Sequence, residues 1–598
     1  MGGLRTLSAA ALIAALVPTA GVCVELPGSM ADDLQVFPNE VLVITAEELA
    51  EYNINTLDDI LALLPGVNFW RYGPPGSRSA FSIDGRSSTG ISLFVNGEPF
   101  CDPYSFDPLS RFLPLSRLVC IEVIYSGSPF ITGELSSNGA INLVIEEGGR
   151  QGPTTELDFT YGRNNQRARR IWFSTPRSFV SASLAYDEYL QDAFETPPEA
   201  GVRKLGLYDS RSILMDLSLI SGAGDDVLVR IQKYEDTYTG TGYSSFEEIR
   251  YNGFDSRIRY RRAGFTAAIG QRNLDASFRS GYLNELQLRG EASWSGRVDG
   301  VVARSFIKGE RSVFNNVLLG QHFDPSIRSF EGGVSVGKDD WGSFSWRAGL
   351  FGGNHSTAGG YVGWEAGIAR DDGGRLTQNV MVSRRLRRPT PQELYQPDVG
   401  VSGGATGVSG TGCTGLESEV ADEISIGAAV DGLMTMDMFW RWERSRIITD
   451  EGGATSHSSD GTGSVAGARI RFTRRGGLFG GISYGLSAGM QAFAERSPYT
   501  PGIPEYRALG GIELERRVFK DTEILSLRWD LEAVGKRSWY GEELDPYLVT
   551  SVHGMMTLMG ARIRLEMNNI LDVEYETVPG YMMSERNYRI GIFWQLPD

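Results

Sequence analysis

The residue types that most often carry out catalysis are few and scattered in this chain. His322, His355, His457 and His553 stand more than thirty positions from one another, so no two sit at the close spacing of zinc ligands. There is no G-x-S-x-G, no H-E-x-x-H and no P-loop. Acidic neighbours such as Glu47-Glu48 and Glu247-Glu248 fit solvated faces better than a catalytic carboxylate pair. The expectation is a protein without enzymatic turnover, without a cofactor and without a metal site. Binding chemistry is better represented. Tyr238, Tyr243, Phe246 and Tyr251 make either a stacking platform for an aromatic or sugar-like ligand or an aromatic girdle at a membrane interface.

The elements that position these groups follow from length and texture. The 598 residues exceed one ordinary globular core, and 57 Lys and Arg against 74 Asp and Glu, a net charge of −17, argue against nucleic acid as partner. Arg5 precedes an apolar run from Leu7 to Val24, the form of a secretory signal, assigned here to residues 1–23. No other stretch approaches the 18 or more apolar residues of a spanning helix, which leaves an exported soluble protein or a β-barrel.

Two textures follow. From Val41 to about Glu147 the pattern is α/β: an apolar strand at Val41–Ile44, capping boxes at Thr45/Glu48 and Thr56/Asp59, and a helical face of Leu57, Ile60, Leu61 and Leu64 ended by Pro65-Gly66. Strands are expected over Ala80–Asp84, Ile91–Asn96, Cys120–Tyr125 and Gly139–Ile145. Beyond Thr154 a dyad takes over. Ile482, Tyr484, Leu486, Ala488 and Met490 alternate with small residues, and Leu525, Leu527, Trp529 and Leu531 alternate with Ser526, Arg528 and Asp530. Such alternation over about ten residues matches a tilted membrane strand, whereas the strands of a soluble sandwich or propeller are typically about five or six residues long. Charges such as Arg562, Arg564 and Glu566 on the polar face require a wet or protein-filled lumen. At about twenty residues per strand and connection, the barrel holds on the order of 22 strands, a size associated with plugged transporters. Long loops are expected at Glu188–Ser210, Tyr234–Asp255, Gln396–Leu416 and Asp450–Ala466.

Several segments in order resemble the TonB-dependent outer-membrane receptors. VLVITAEELAEYNINTLDDILALLPGV (Val41 to Val67), ISLFVNGEPFCDP (Ile91 to Pro103) and CIEVIYSGSPFITGELSSNGAINLVI (Cys120 to Ile145) are similar to the family's plug wording. SRRLRRPTPQELY (Ser383 to Tyr395), GLESEVADEISIG (Gly415 to Gly427) and EMNNILDVEYE (Glu566 to Glu576) with GYMMSERNYRIGIFW (Gly580 to Trp594) resemble its barrel. The resemblance implies a membrane β-barrel with an N-terminal α/β plug domain inside the lumen, in a Gram-negative outer membrane. The corresponding segments are residues 24–40 on the periplasmic side, 41–150 for the plug and 151–598 for the barrel.

It further implies import of a scarce nutrient, an iron-siderophore or cobalamin-like compound, pulled through by TonB with ExbB and ExbD. Contacts with outer-membrane lipid, lipopolysaccharide and the barrel-assembly machinery are implied as well. Ligand would meet plug apices at Tyr72, Phe100 and Tyr104, and Leu34, Gln35, Val36 and Phe37 are the candidate TonB contacts. Gly591, Trp594 and Leu596 would form the assembly signal. Cys101 and Cys120 either close a disulfide loop of about 20 residues, contributing on the order of 3 kcal/mol, or are two buried thiols. Three departures stand out. Asp84 occupies a position where many members carry Arg, and Tyr125-Ser126 replaces another, so other contacts must hold the plug. The segment before Val41 has no clear TonB box. The chain ends Leu596-Pro597-Asp598 instead of on an aromatic. A receptor or adhesin without TonB coupling is the alternative function, and a secreted soluble β-enzyme a further one.

Overall fold

The computed structural model describes residues 37, 40–50, 52–71, 79–86, 91–100, 115–133 and 139–147 of the N-terminal part. From 153 to 597 it describes all but 177, 193, 196–203, 206, 222–224, 242–245, 279–280, 319–320, 374, 396–398, 403–404, 409–414, 431, 450–456, 479–480, 497–499, 520–522 and 584. The signal and the segment up to Val36 lie outside the described residues.

The chain from Thr154 onward forms one closed antiparallel barrel of 22 long strands, with a small extra hairpin, Asn316–Leu318 and Gln321–Phe323, on one rim. Closure is made by the last strand, Asn587–Pro597, which pairs antiparallel with the first, Thr154–Gly162. A closed barrel leaves no unpaired edge, the condition for β-structure in lipid. The alternation expected from sequence is the one observed. On Glu523–Val534 the residues Leu525, Leu527, Trp529 and Leu531 face outward and are 41% to 58% exposed, while Ser526 is buried inside. Those outward positions have no protein to pack against because their solvent is hydrocarbon.

Links on one rim are tight, such as 263–264, 299–300, 342–343 and 559–560, whereas 388–418 and 569–586 span the other. Short turns mark the periplasmic side and long loops the extracellular one. Two expected loops are in fact strands: Asp226–Thr241 and Phe246–Arg262 run through Tyr234–Asp255, and His457–Gly477 takes most of Asp450–Ala466. Polarity suggested loops there, but ladder pairing continues above the membrane, since these strands exceed the roughly 9–11 residues that lipid requires.

Inside the barrel sits a five-stranded mixed sheet in the order Val41–Thr45, Leu118–Ile124, Ala140–Ile145, Ser92–Val95, Glu98–Pro99. The Ser92–Val95 and Glu98–Pro99 hairpin turns at Asn96-Gly97, both with positive φ (53° and 78°), the conformation of a type I′ turn. The helix Leu57–Leu61 starts where Asp59 accepts the Thr56 N–H at 3.1 Å, and Glu48 accepts the Thr45 N–H at 3.0 Å. Gly66, at φ 79°, turns the chain into Val67–Arg71, a strand that periodicity did not reveal, paired with Ser79–Ile83. Leu57, Ile60, Leu64, Ile83, Leu93, Ile121, Val123, Ile141 and Leu143 close the core of this inner domain at 1% exposure or less.

Candidate functional site at the interface of plug and wall

A domain inside a lumen must satisfy its polar surface against the wall, and here charged side chains do so in pairs. Glu147, just past the strand Ala140–Ile145, receives Arg259 Nη1 at 2.9 Å and Arg230 Nη2 at 3.4 Å. Arg230 grips Asp216 bidentately at 2.9 and 3.0 Å, and Arg117 of the inner domain meets that same carboxylate at 2.9 Å. Glu98 pairs with Arg257 at 2.7 Å. Glu40 takes Arg347 at 2.7 and 3.1 Å, and Arg347 also touches Glu365, which accepts the Ser128 hydroxyl at 2.9 Å.

The two sequence departures become intelligible here, because the polarity of the contact is reversed. Asp84, where a cation is usual, binds wall residue Arg469 at 2.8 and 2.9 Å and accepts Gln491 Nε2 at 2.7 Å. The Arg469 guanidinium stacks 3.3 Å from the Tyr125 ring centroid, and Tyr125 donates its hydroxyl to Pro65 O at 2.5 Å. Two residues beyond Asp84, Arg86 supplies a cation to wall residue Glu423 at 2.6 Å. Asp59 serves twice: it caps its own helix and binds Arg589 at 2.9 Å.

The inner domain's carboxyls feel these partners. Burial alone raises Glu147, but Arg259 and Arg230 outweigh it and hold the carboxyl at about 2. Burial likewise opposes Asp59, which Arg589 and the Asn55 N–H keep below the ordinary range. At Glu98 burial prevails over Arg257 and the carboxyl sits above its usual value.

One sector of wall differs. Against Ile482–Glu495, Tyr506–Val518, Glu523–Val534 and Tyr547–Leu558 the inner domain offers mainly backbone and neutral side chains. Arg507 donates to the carbonyls of Ala62 and Leu64 at 2.7 and 3.0 Å, Asn68 donates to Gln491 at 3.1 Å, and the Tyr52 ring meets His553 edge-on at 4.6 Å. A cavity of about 560 Å³ lies along this sector. Neither side-chain polar atom of Asn53, nor His553 Nδ1, has a hydrogen-bond partner among the described residues, though both side chains are at least nine-tenths buried and line the cavity.

The TonB-dependent Receptor Plug Domain family matches residues 33–140, the segment carrying most of this inner sheet. The chain thus carries a plug domain of the TonB-dependent receptor type inside a 22-strand barrel. The receptor is 22% identical over 277 residues to the vitamin B12 transporter BtuB of Vibrio vulnificus, a match covering 46% of this chain and 43% of that protein. It thus spans less than half the length of this curated relative. Among solved structures it is similar to the siderophore receptor PirA of Acinetobacter baumannii, with a TM-score of 0.74, 13% identity and coverage of 93% of this chain and 98% of that one. A Pseudomonas aeruginosa ferric enterobactin receptor variant gives a TM-score of 0.74 at 14% identity, with coverage of 93% and 98%. The receptor is an outer-membrane β-barrel. Among the described residues no helix is long and apolar enough to cross a membrane, and strands make the crossing.

Residues singled out from sequence fall in several places. Tyr72, Tyr104, Tyr243, Cys101, Leu34, Gln35 and Val36 lie outside the described residues. Phe100 is buried between plug and wall, with Arg272 over its ring at 5.3 Å and Tyr234 edge-on at 6.0 Å, so it packs the interface. Phe37, the described one of the four candidate TonB contacts, is packed against the wall. It is 2% exposed, its ring fills the space beside Gly367, and it packs on Ala369 and Met381 under Arg347. An aromatic side chain removed from water in this way cannot at once be offered to a partner.

Cys120 is disulfide-bonded, its partner lying outside the described residues. Trp594, 47% exposed, faces lipid as Ile590 and Ile592 do, and Leu596 is half-buried. Gly591 points inward, where a Cβ would overlap the Asn53 side chain. Tyr238 and Tyr251 stack with planes 2° apart and centroids at 6.2 Å; Tyr238 is buried and faces the lumen, so this pair is no lipid girdle. Sequence reasoning passed over Arg347, Arg469, Arg589 and Glu147. Their signal is a charge on the lumen side of a dyad, which marks a candidate without naming its partner.

Proposed function

We propose that this receptor imports a scarce nutrient too large for general porins, an iron-siderophore or cobalamin-like compound, by energy-coupled rearrangement of its plug. The observation that carries the reading is the set of buried ion pairs between plug and wall. A large cargo passes only if some of them are broken, and parting a buried pair costs several kcal/mol. An outer membrane has no nucleotide supply of its own, so the work enters from the periplasmic side. In this reading residues 24–40 hand the chain to TonB, driven by ExbB and ExbD, through strand addition, in which backbone hydrogen bonds provide grip. The relatives support the cargo class: one is named a vitamin B12 transporter and others siderophore or ferric enterobactin receptors.

The receptor's loops would catch cargo first. On the extracellular rim Trp70 of the plug meets Trp539 at 6.0 Å, and Ile503 and Val578 complete an apolar cluster. The test is accumulation of labelled ferric chelates and cobalamin by expressing cells, with and without a protonophore and with residues 24–40 deleted. Accumulation lost in both cases supports coupled import. Ligand binding with no energy-dependent accumulation across the panel supports a second reading, an uncoupled receptor or adhesin, which the burial of Phe37 in the wall favours.

A further inference from the structure

We propose that Arg311 and Arg328, on the outer face of the barrel, bind the phosphate of an outer-leaflet glycolipid, one of whose acyl chains lies in a trough on the wall beneath them. The first support is a juxtaposition of like charges. On the strands Val301–Phe314 and Ser326–Trp341 the two arginines stand directly opposite each other. Both are exposed, and their strand neighbours Ser312, Ile327 and Ser329 are buried on the lumen side, so the arginines point outward. Like charges so placed repel, and neither arginine makes an ion pair among the described residues. Other outward-facing cations are neutralised within the wall: Arg250 by Glu248 at 2.6 Å, Lys233 by Glu235 at 2.9 Å and Arg384 by Asp422 at 2.7 Å. The opposed arginines therefore call for an anion from outside the chain, and two adjacent guanidiniums can each give forked hydrogen bonds to one phosphate.

The second support is height. Arg311 lies ten residues beyond Val301, where its strand leaves the tight periplasmic turn. At about 3.3 Å per residue and a tilt of about 40°, the rise is about 25 Å, the height of the apolar band. The two guanidiniums thus sit at the level of the outer-leaflet headgroups, which in a Gram-negative outer membrane are phosphorylated sugars. The third support is shape. Just below Arg311 on the same outward row, Gly309 is in register with Gly290 of Gly281–Val298, and a Cβ at either would meet nothing within 4 Å. Ile269 and Phe330, 66% and 57% exposed, border this pair of glycines. They leave a trough two strands wide, on the order of 10 Å, which takes an acyl chain. This site lies on the lipid face and is separate from the import of cargo through the lumen.

The experiment strips the full-length protein of lipid in a non-ionic detergent and follows binding by native mass spectrometry. Bis-phosphorylated lipid A and its dephosphorylated form are the probes. The unsubstituted chain is expected to bind the phosphorylated form at one site and to prefer it to the other. Arg311→Gln and Arg328→Gln should each weaken that binding about tenfold. Gly309→Leu should weaken it by filling the trough, while Arg250→Gln, whose charge is already paired, should leave it unchanged. Heat-modifiable migration checks that each barrel is folded. As a second readout, phosphorylated lipid A should raise the barrel's transition in calorimetry for the unsubstituted chain and not for the variant carrying both Arg311→Gln and Arg328→Gln. Equal binding of the dephosphorylated lipid, or unchanged affinity in the double variant, would overturn the proposal. So would full displacement of the lipid by an equal concentration of inorganic phosphate, which would assign the arginines to a free anion. A dimer abolished by the double variant would give them to a second copy of the chain and overturn it too.

Discussion

Two sectors of one interface treat the plug in opposite ways. From Tyr208–Ile220 round to His457–Gly477, and again at Asn587–Pro597, the wall meets it with buried ion pairs such as Glu147 with Arg259 and Arg230, Glu40 with Arg347, Arg86 with Glu423, Asp84 with Arg469 and Asp59 with Arg589. Between the last two, the same plug rests on backbone carbonyls and ring edges beside a cavity. Paired buried charges fix register strongly because removing one partner strands the other. Neutral contacts leave no stranded charge when they part. The plug is therefore anchored on one flank and loosely supported on the other, and displacement should begin on the loose flank.

The largest effect should come from breaking the anchored flank. Glu147→Ala takes the plug's carboxylate from Arg259, leaving it only Asp226 at 3.7 Å, while Arg230 keeps Asp216; plug docking should weaken by about 3 kcal/mol, read as a lower plug transition in calorimetry. Leu509→Ala, on the cavity side, should cost clearly less, and an equal loss would erase the distinction between the flanks. Phe37→Ala should cost up to about 3 kcal/mol locally and expose the N-terminal segment to protease without lowering the barrel's own transition.

For the reversed pair, Asp84→Ala and Arg469→Ala should each weaken docking. Their double-mutant cycle should give a coupling of about 0.5–3 kcal/mol, whereas Asn68 with Arg469 should show less. The pH dependence has a definite sign. Glu147 is held at about 2, so its contribution is complete above about pH 4.5 and drains away as pH falls toward about 2; Asp59, also held below its ordinary value by Arg589, adds a loss of the same sign. Calorimetry from pH 7 to 3 should show the plug transition falling below pH 4.5, and a flat profile would mean that these pairs do not hold the plug. The smallest effect belongs to the cavity side: Asn53→Leu removes two unpartnered polar atoms and should be neutral or stabilising by about 1 kcal/mol.

Much of the architecture was legible because it follows from local chemistry. The dyad of Leu525 to Leu531 read correctly as a lipid-facing row, and Thr56 with Asp59 read correctly as a helix start. Strand ends above the membrane were harder. Tyr234–Asp255 is as polar as a loop, and only pairing between Asp226–Thr241 and Phe246–Arg262 makes it sheet. The site was harder still. Asp84 read as a lost cation, yet Arg469 lies 385 positions away, and nothing local joins them.

What the sequence by itself determined is the division into an α/β segment and a dyad-patterned barrel, since side-chain period and capping are written residue by residue. Tertiary structure alone decided which charge meets which, that Phe37 is inside the wall, and where the plug leaves a cavity. Those outcomes depend on the register of 22 strands closing round a separate domain. A lumen-facing arginine looks the same in sequence whether its carboxylate sits on the next strand or on the plug.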